Sequence, residues 1–253
     1  TAADTLFALA VLGEMSARHS ASLNLPEMAQ VLDGDTSRCV MLSVGGCTER
    51  ALEEYLSEHP TDSVEVALQN SWDRFVLGGT TGDMAVLAGL LQEEPGVEIE
   101  AVPSSVPFHH RLLDDCVAPA TTWLEAHGVR FTGDLQLPLV DPRDGTLLSG
   151  GDQSTRLIES ILARPVRWAD TIAGIVTPDH VMVDFGPSSL LSVLTRRVLR
   201  GTGATVVALG EDPTMRALTD ADSMPRPTTQ WSTFLPTLVA DTDGDNATHR
   251  VVT

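Results

Sequence analysis

The stretch "SSVPFHHRLLDD", residues 104 to 115, sets His109 and His110 between a Pro-Phe pair and an arginine. Imidazole changes charge near neutral pH, so a histidine can take a proton from a hydroxyl or a thiol and hand it back. From its own residues the stretch leaves three uses open: a structural histidine, a general base, or a metal ligand. The metal reading is the weakest. Adjacent side chains diverge, and neither H-x-x-x-H nor H-E-x-x-H accompanies the pair. A base, in turn, needs a nucleophile, and the usual serine elbow is G-x-S-x-G. None occurs: "GDTSR", "LSVGG" and "LSGGD" do not put a serine between flanking glycines on a strand-to-helix turn. Cys39, Cys47 and Cys116 form no C-x-x-C, so they are expected to be free, buried thiols in a reducing compartment.

The elements around the histidines can be read from periodicity. The 253 residues suffice for one large domain or two small ones. Net charge is −19 and all 16 basic residues are arginine, which argues against nucleic acid and anionic membranes as partners. The longest apolar run, "LFALAVLG" at 6 to 13, is shorter than the ~18 residues of a membrane span and has no basic flank, so it is not a signal peptide. "NAT" at 246 to 248 fits a glycosylation sequon but has no other sign of secretion beside it. Helical spacing over 2 to 18 breaks between Ser16 and Pro26. The chain thus starts inside an expected helix, which suggests an excerpt of a longer polypeptide.

Strands are expected at 39 to 44, 63 to 70, 74 to 79 and 96 to 103, with helices at 48 to 59 and 81 to 94. The order β-α-β-β-α-β is the ferredoxin-like split pattern. Beyond Pro107 the spacing predicts a helix over 110 to 128 with Gly128 as its C-cap, and a strand running into a turn over 135 to 145. It then predicts a helix over 151 to 165 that stops before Pro165, and a fully buried strand over 180 to 189. A helix over 189 to 200 and a buried strand over 203 to 210 complete a parallel α/β core. The polar, Pro-rich stretch from 213 reads as a linker. The expected division is 1–38 as part of an α/β core, 39–103 as the ferredoxin-like subdomain, 104–212 as the rest of the core, and 213–253 as linker.

"VPFHHRLL" resembles the histidine motif of acyl-CoA:carrier-protein acyltransferases, commonly P-F-H-S-x-L-[LM]. "LPLVDPRDGTLL", "SILARPVRW", "MVDFGPSSLLSVLT" and "GTGATVVALG" follow in that family's order, and "VALQNSWDRFVLGG" resembles its N-G…V-V-S-G hairpin. Nearly the whole chain is similar to the acetyltransferase domain of type I fatty acid synthases of the fungal and actinobacterial kind. Its tail resembles the segment leading into an enoyl reductase domain. The resemblance implies a partial α/β-hydrolase-like core with an inserted ferredoxin-like subdomain. It also implies a cytoplasmic multifunctional enzyme, a large homo-oligomer that moves a starter acyl group from acyl-CoA to the phosphopantetheine of an acyl carrier domain through an acyl-serine. No cofactor or metal is expected in this region.

On that resemblance His109 matches the family histidine: base in acylation, acid for the leaving thiol. The nucleophile elbow is expected upstream of Thr1, so the fragment alone should be inactive. His110, where the motif usually has serine, is expected at the surface. Phe108 and Asn70 match positions near the site. Malonyl-selective relatives carry an arginine in R-x-R-G-x-x-M; here "LAVLGEM" puts Leu12 in its place. A leucine cannot neutralise a carboxylate, and burying one unpaired costs several kcal/mol. An uncarboxylated acyl group, acetyl first, is therefore expected. The alternatives are malonyl/palmitoyl transfer, or a non-catalytic structural module of a large assembly. Asp184-Phe185-Gly186 has no kinase motif around it and reads as a structural turn, and "GTGATV" lacks the third glycine of a dinucleotide fingerprint.

Overall fold

Two threonines start the helices that follow residues 48 and 80. Thr48 and Thr80 are both extended, and each side-chain oxygen accepts the N–H three residues on, Ala51 at 3.3 Å and Asp83 at 3.5 Å. That satisfies donors a helix start otherwise leaves open. The computed structural model describes residues 12, 13, 15, 16, 19, 40–131, 138–148, 153–186 and 189–208. The expected linker from 213 onward and Cys39 lie outside the described residues.

The elements run β1 (Met41–Gly45), α1 (Glu49–Glu58), β2 (Glu65–Ser71), β3 (Arg74–Gly78), α2 (Thr81–Gln92) and β4 (Glu98–Ala101). After a short 3₁₀ turn (Arg111–Leu113) come α3 (Asp114–Ala126), β5 (Leu139–Val140), β6 (Leu147–Leu148) and α4 (Ser154–Leu162). The described part closes with β7 (Val166–Arg167), α5 (Trp168–Ile175), β8 (Val181–Asp184), α6 (Leu190–Val198) and β9 (Thr205–Ala208). Sheet order is β4-β1-β3-β2-β7: the first four are antiparallel neighbours in the split pattern, and β7 adds parallel to β2.

Period-2 alternation sorts the strand residues onto two faces. Leu42, Val44, Phe75 and Leu77 meet Leu52 of α1 and Met84, Leu87 and Leu91 of α2 in a closed core. Val40, Met41, Ala67 and Val76 form a smaller cluster of their own. Both α5 and α6 lie against β2. A third cluster joins α3 to α4 through Leu113, Cys116, Ala120, Leu124, Ile158 and Leu162, and Leu12 is part of it.

The structure departs from expectation at several places. Residues 12, 13, 15, 16 and 19 have helical backbone, and the last two lie where the apolar spacing breaks the expected helix. Buried Ser16 sits in it because its hydroxyl bonds back to the Leu12 carbonyl at 2.5 Å. Neither β8 nor β9 is fully buried: Val181 is 60% exposed and Val183 41%. Among the described residues these two strands pair only with each other, in parallel, so packing covers one side of the pair. Of the two described cysteines only Cys116 is buried; Cys47 is half-buried, and both are free. Strand β7 and helix α5 were not expected at all. No helix among the described residues is long and apolar enough to cross a membrane.

Phe75 is wholly buried at the centre of the first core. Replacing it with alanine is expected to cost about 4 kcal/mol, from lost transfer energy and the cavity left behind. The shift of the urea midpoint measures that cost.

Candidate active site

The C-terminal end of α4 builds the site. A helix ends with four carbonyls that no later turn can fill. Here the Glu159 carbonyl accepts the N–H groups of Ala163 and Arg164, at 2.8 and 3.0 Å. The Ser160 carbonyl lies 2.8 Å from His109 Nδ1, and the Leu162 carbonyl accepts the His110 backbone N–H at 3.1 Å. The histidine pair thus fills positions that the helix leaves open.

His109 has a φ of 60°, unlike every other non-glycine among the described residues. Left-handed backbone at a side chain with a Cβ costs of order 1–3 kcal/mol and persists only where the surroundings enforce it. The enforcing contacts are those to α4. A carbonyl only accepts, so Nδ1 carries the hydrogen and the lone pair of the neutral ring falls on Nε2. That is the tautomer a general base needs. Burial pushes the imidazole below its ordinary range, while the carbonyls of Ser160 and Arg164 pull it back up. The ring therefore starts neutral. A proton arriving on Nε2 would create a cation beside the negative end of the helix dipole, an arrangement worth up to about 2 kcal/mol when partly buried.

Behind Ser160 lies a carboxylate. Asp141, with no exposed surface, accepts from Ser160 Oγ at 3.2 Å, from the Arg143 guanidinium at 2.8 to 3.1 Å, and from Arg156 Nε at 2.6 Å. Burial would raise its pKa, but the hydrogen bonds from Arg143 and Arg156 overcome that and bring it to about 2. The "VDPRDG" turn makes this possible, with Arg143 N also donating to Asp141 Oδ1 at 3.0 Å. Arg143 reaches Glu159 as well, at 3.1 Å, so the turn is clamped to the last stretch of α4.

His110 is the clearest correction. It is 1% exposed, not a surface residue. Its Nδ1 accepts the Leu112 N–H at 3.0 Å and caps the 3₁₀ turn, and its Nε2 lies 2.8 Å from the Ser63 carbonyl. The ring fits because position 78 is glycine: a Cβ there would stand 3.0 Å from His110 Cδ2. Burial lowers the His110 pKa against the opposing pull of Glu65, 3.7 Å away.

The other expected positions divide. Leu12 is 2% exposed and belongs to the α3–α4 cluster against which Phe108 and Met15 pack. Leu12 and Phe108 therefore sit in one apolar body, directly before His109 in the case of Phe108. Asn70 is half-buried on β2, at an irregularity in the β2–β3 register between Gln69 and Ser71. Asp184 turns out to cap α6: its oxygens accept the N–H groups of Gly186 and Ser192, each at 2.9 Å. Among the described residues no three His, Cys, Asp or Glu side chains are grouped to hold a metal ion.

This arrangement belongs to a known architecture. Over 85% of its length the chain superposes on a malonyl transacylase from Mycobacterium tuberculosis, with a TM-score of 0.62, 23% identity and 64% of that chain covered. A malonyl CoA-acyl carrier protein transacylase from Clostridium perfringens matches 95% of the chain, with a TM-score of 0.65, 17% identity and 66% of that chain covered. The fold is that of the acyl transferases. In sequence, the chain is 28% identical over 197 residues to the fatty acid synthase subunit beta of Saccharomyces cerevisiae, covering 67% of this chain and 10% of that protein. It therefore spans about a tenth of that relative's length. No family model matches it.

Sequence reasoning missed Ser160, Asp141 and the burial of His110. The aspartate could have been suspected from Asp-x-Arg in a turn. Its second partner, Arg156, lies 15 positions on and is joined only by the fold.

Asp141→Asn is expected to cost about 3 kcal/mol near neutral pH, because it removes the buried carboxylate that two guanidinium groups share. A carboxylate whose folded pKa is lowered from 3.8 to about 2 adds stability above the unfolded value and loses it as pH falls through the folded one. The stability gap between wild type and variant should therefore shrink by about 2 kcal/mol from pH 6 to pH 2. Denaturant titrations at the two pH values read that change.

Proposed function

We propose that this chain is the histidine-bearing part of an acyltransferase that loads an uncarboxylated starter group, acetyl first, from acyl-CoA onto the phosphopantetheine of an acyl carrier domain. The observation that carries the reading is His109, held in left-handed backbone with Nδ1 on the Ser160 carbonyl at the end of α4, within an acyl transferase fold. His109 takes the proton of a serine as that serine attacks the thioester carbonyl, which expels CoA thiol and leaves an acyl-serine. The same imidazole protonates the departing thiolate. It then deprotonates the carrier thiol that attacks the acyl-serine, and gives that proton to the serine oxygen as the ester C–O bond breaks. The sequence has no G-x-S-x-G, so the serine is assigned to another segment. The yeast relative, a fatty acid synthase subunit, supports a synthase setting with the carrier and other synthase domains as partners; a cytoplasmic location is part of the proposal.

Acetyl is favoured over malonyl by the apolar body ahead of the histidine. Leu12, Met15 and Phe108 offer no cation to a second carboxylate. Desolvating one unpaired would cost several kcal/mol.

The reading is tested with the longest polypeptide that contains these residues, using labelled acetyl-CoA and a phosphopantetheine-bearing carrier protein. His109→Ala should lower the rate of transfer by about 10²–10⁴. An excess of malonyl-CoA should compete poorly. Transfer undiminished by His109→Ala would end the proposal, and malonyl loading faster than acetyl would end its substrate choice.

A further inference from the structure

The two histidines carry their hydrogens on opposite nitrogens. His109 donates from Nδ1 to Ser160, whereas His110 must keep Nδ1 bare to accept from Leu112, so its hydrogen sits on Nε2 and is donated to Ser63. Resting on the proposed role of His109, we infer that His110 is a positioning residue for that base, a strut from the β2–β3 end of the first sheet to the histidine loop.

The contacts of His110 reach three bodies at once. Its Nε2 reaches Ser63, just before β2, and its ring lies against Gly78 at the end of β3. Its Nδ1 holds the 3₁₀ turn that leads into α3, and its backbone N–H holds the Leu162 carbonyl of α4. The Ser63 end is itself fixed: its N–H and hydroxyl both donate to Asp83 of α2, at 2.9 and 2.5 Å, and its hydroxyl oxygen accepts the Thr80 N–H at 2.9 Å. Arg111, next in sequence, pairs with Glu65 at the start of β2. Residue 110 is therefore anchored on both sides.

Residue 109 lies directly before it and must hold a φ of 60° for its ring to meet the Ser160 carbonyl. A left-handed residue relaxes if either flank is loosened. On one flank Phe108 packs in the α3–α4 cluster, and on the other stands the His110 strut. A serine at position 110 would be too short to reach Ser63 while capping the turn. Histidine spans the gap with its two nitrogens.

Two conservative variants separate the strut from the local cap. Glutamine places an amide N–H where Nε2 stands and keeps the Ser63 contact. Asparagine places an oxygen where Nδ1 stands and keeps only the Leu112 contact. The readout is the ¹⁵N signature of the His109 ring in the whole chain, which reports its tautomer whether or not acyl transfer occurs. In wild type and His110→Gln, His109 should be fixed with its hydrogen on Nδ1. In His110→Asn it should relax to the mixture of an unconstrained imidazole. A fixed His109 in folded His110→Asn, or a relaxed one in His110→Gln, overturns the inference. Should His110→Asn not fold, Gly78→Ala presses on the same ring from β3 and must shift the His109 signature; an unmoved signature there also overturns it. Fixed tautomers with no acyl transfer in wild type would count against the proposed function and leave the strut standing.

Discussion

Helix α4 stops before Pro165, and what happens to its last carbonyls decides the rest of the site. Proline at that position has no N–H to offer, so the Ile161 carbonyl cannot be filled by continuing the helix. The groups that come instead to Ser160 and Leu162 are the ring of His109 and the backbone of His110, from a loop about fifty residues earlier. The requirement that buried backbone acceptors be satisfied thus draws the loop to the helix end and puts the His109 ring hydrogen on Nδ1. The imidazole is oriented by a helix end where Ser-His-Asp sites use a carboxylate.

A carboxylate is nonetheless present one step further back. Asp141 does not touch the imidazole; it holds Ser160 and the Arg143 that clamps Glu159. Placing the charge there keeps the imidazole neutral in its resting state, because burial, not a neighbouring anion, dominates His109. A carboxylate in direct contact would raise the histidine's affinity for protons and occupy it before substrate arrives. The helix end is a softer partner, and its pull strengthens only when the ring becomes charged.

The alternating strands and helices of the first sheet were legible because their signals are local: period 2 and period 3.6. What stayed hidden depends on distant pairs. Two-residue β7 has no periodicity to detect, and it exists because Leu68 and Gln69 of β2 leave an edge to which Val166 and Arg167 can pair. His110 reads as a surface residue beside a charged arginine. Its burial follows from a glycine at 78 and a carbonyl at 63, neither of which sequence spacing connects to it. For β8 and β9 the error ran the other way. Their valines suit a sheet covered on both faces, but the pair is open on one side among the described residues.

That contrast also orders the chain by stability. Around His109 the side chains of Leu113, Leu162 and Ile158 are wholly buried, and the Ser160 and Leu162 carbonyls are both hydrogen-bonded to the histidine pair. At the other end Phe185 is 78% exposed, Leu190 61% and Val193 52%, beside a groove of about 320 Å³ lined by Met182, Leu191 and Thr195. Regions with few buried contacts open first, in units smaller than the whole fold. Opening of the β8–α6–β9 unit would leave α4, the Asp141 clamp and the histidine pair intact, because none of their hydrogen bonds passes through it. The contacts that orient His109 can therefore stay in place while the more exposed end of the molecule moves, and in the proposed transfer reaction an oriented imidazole contributes through preorganisation.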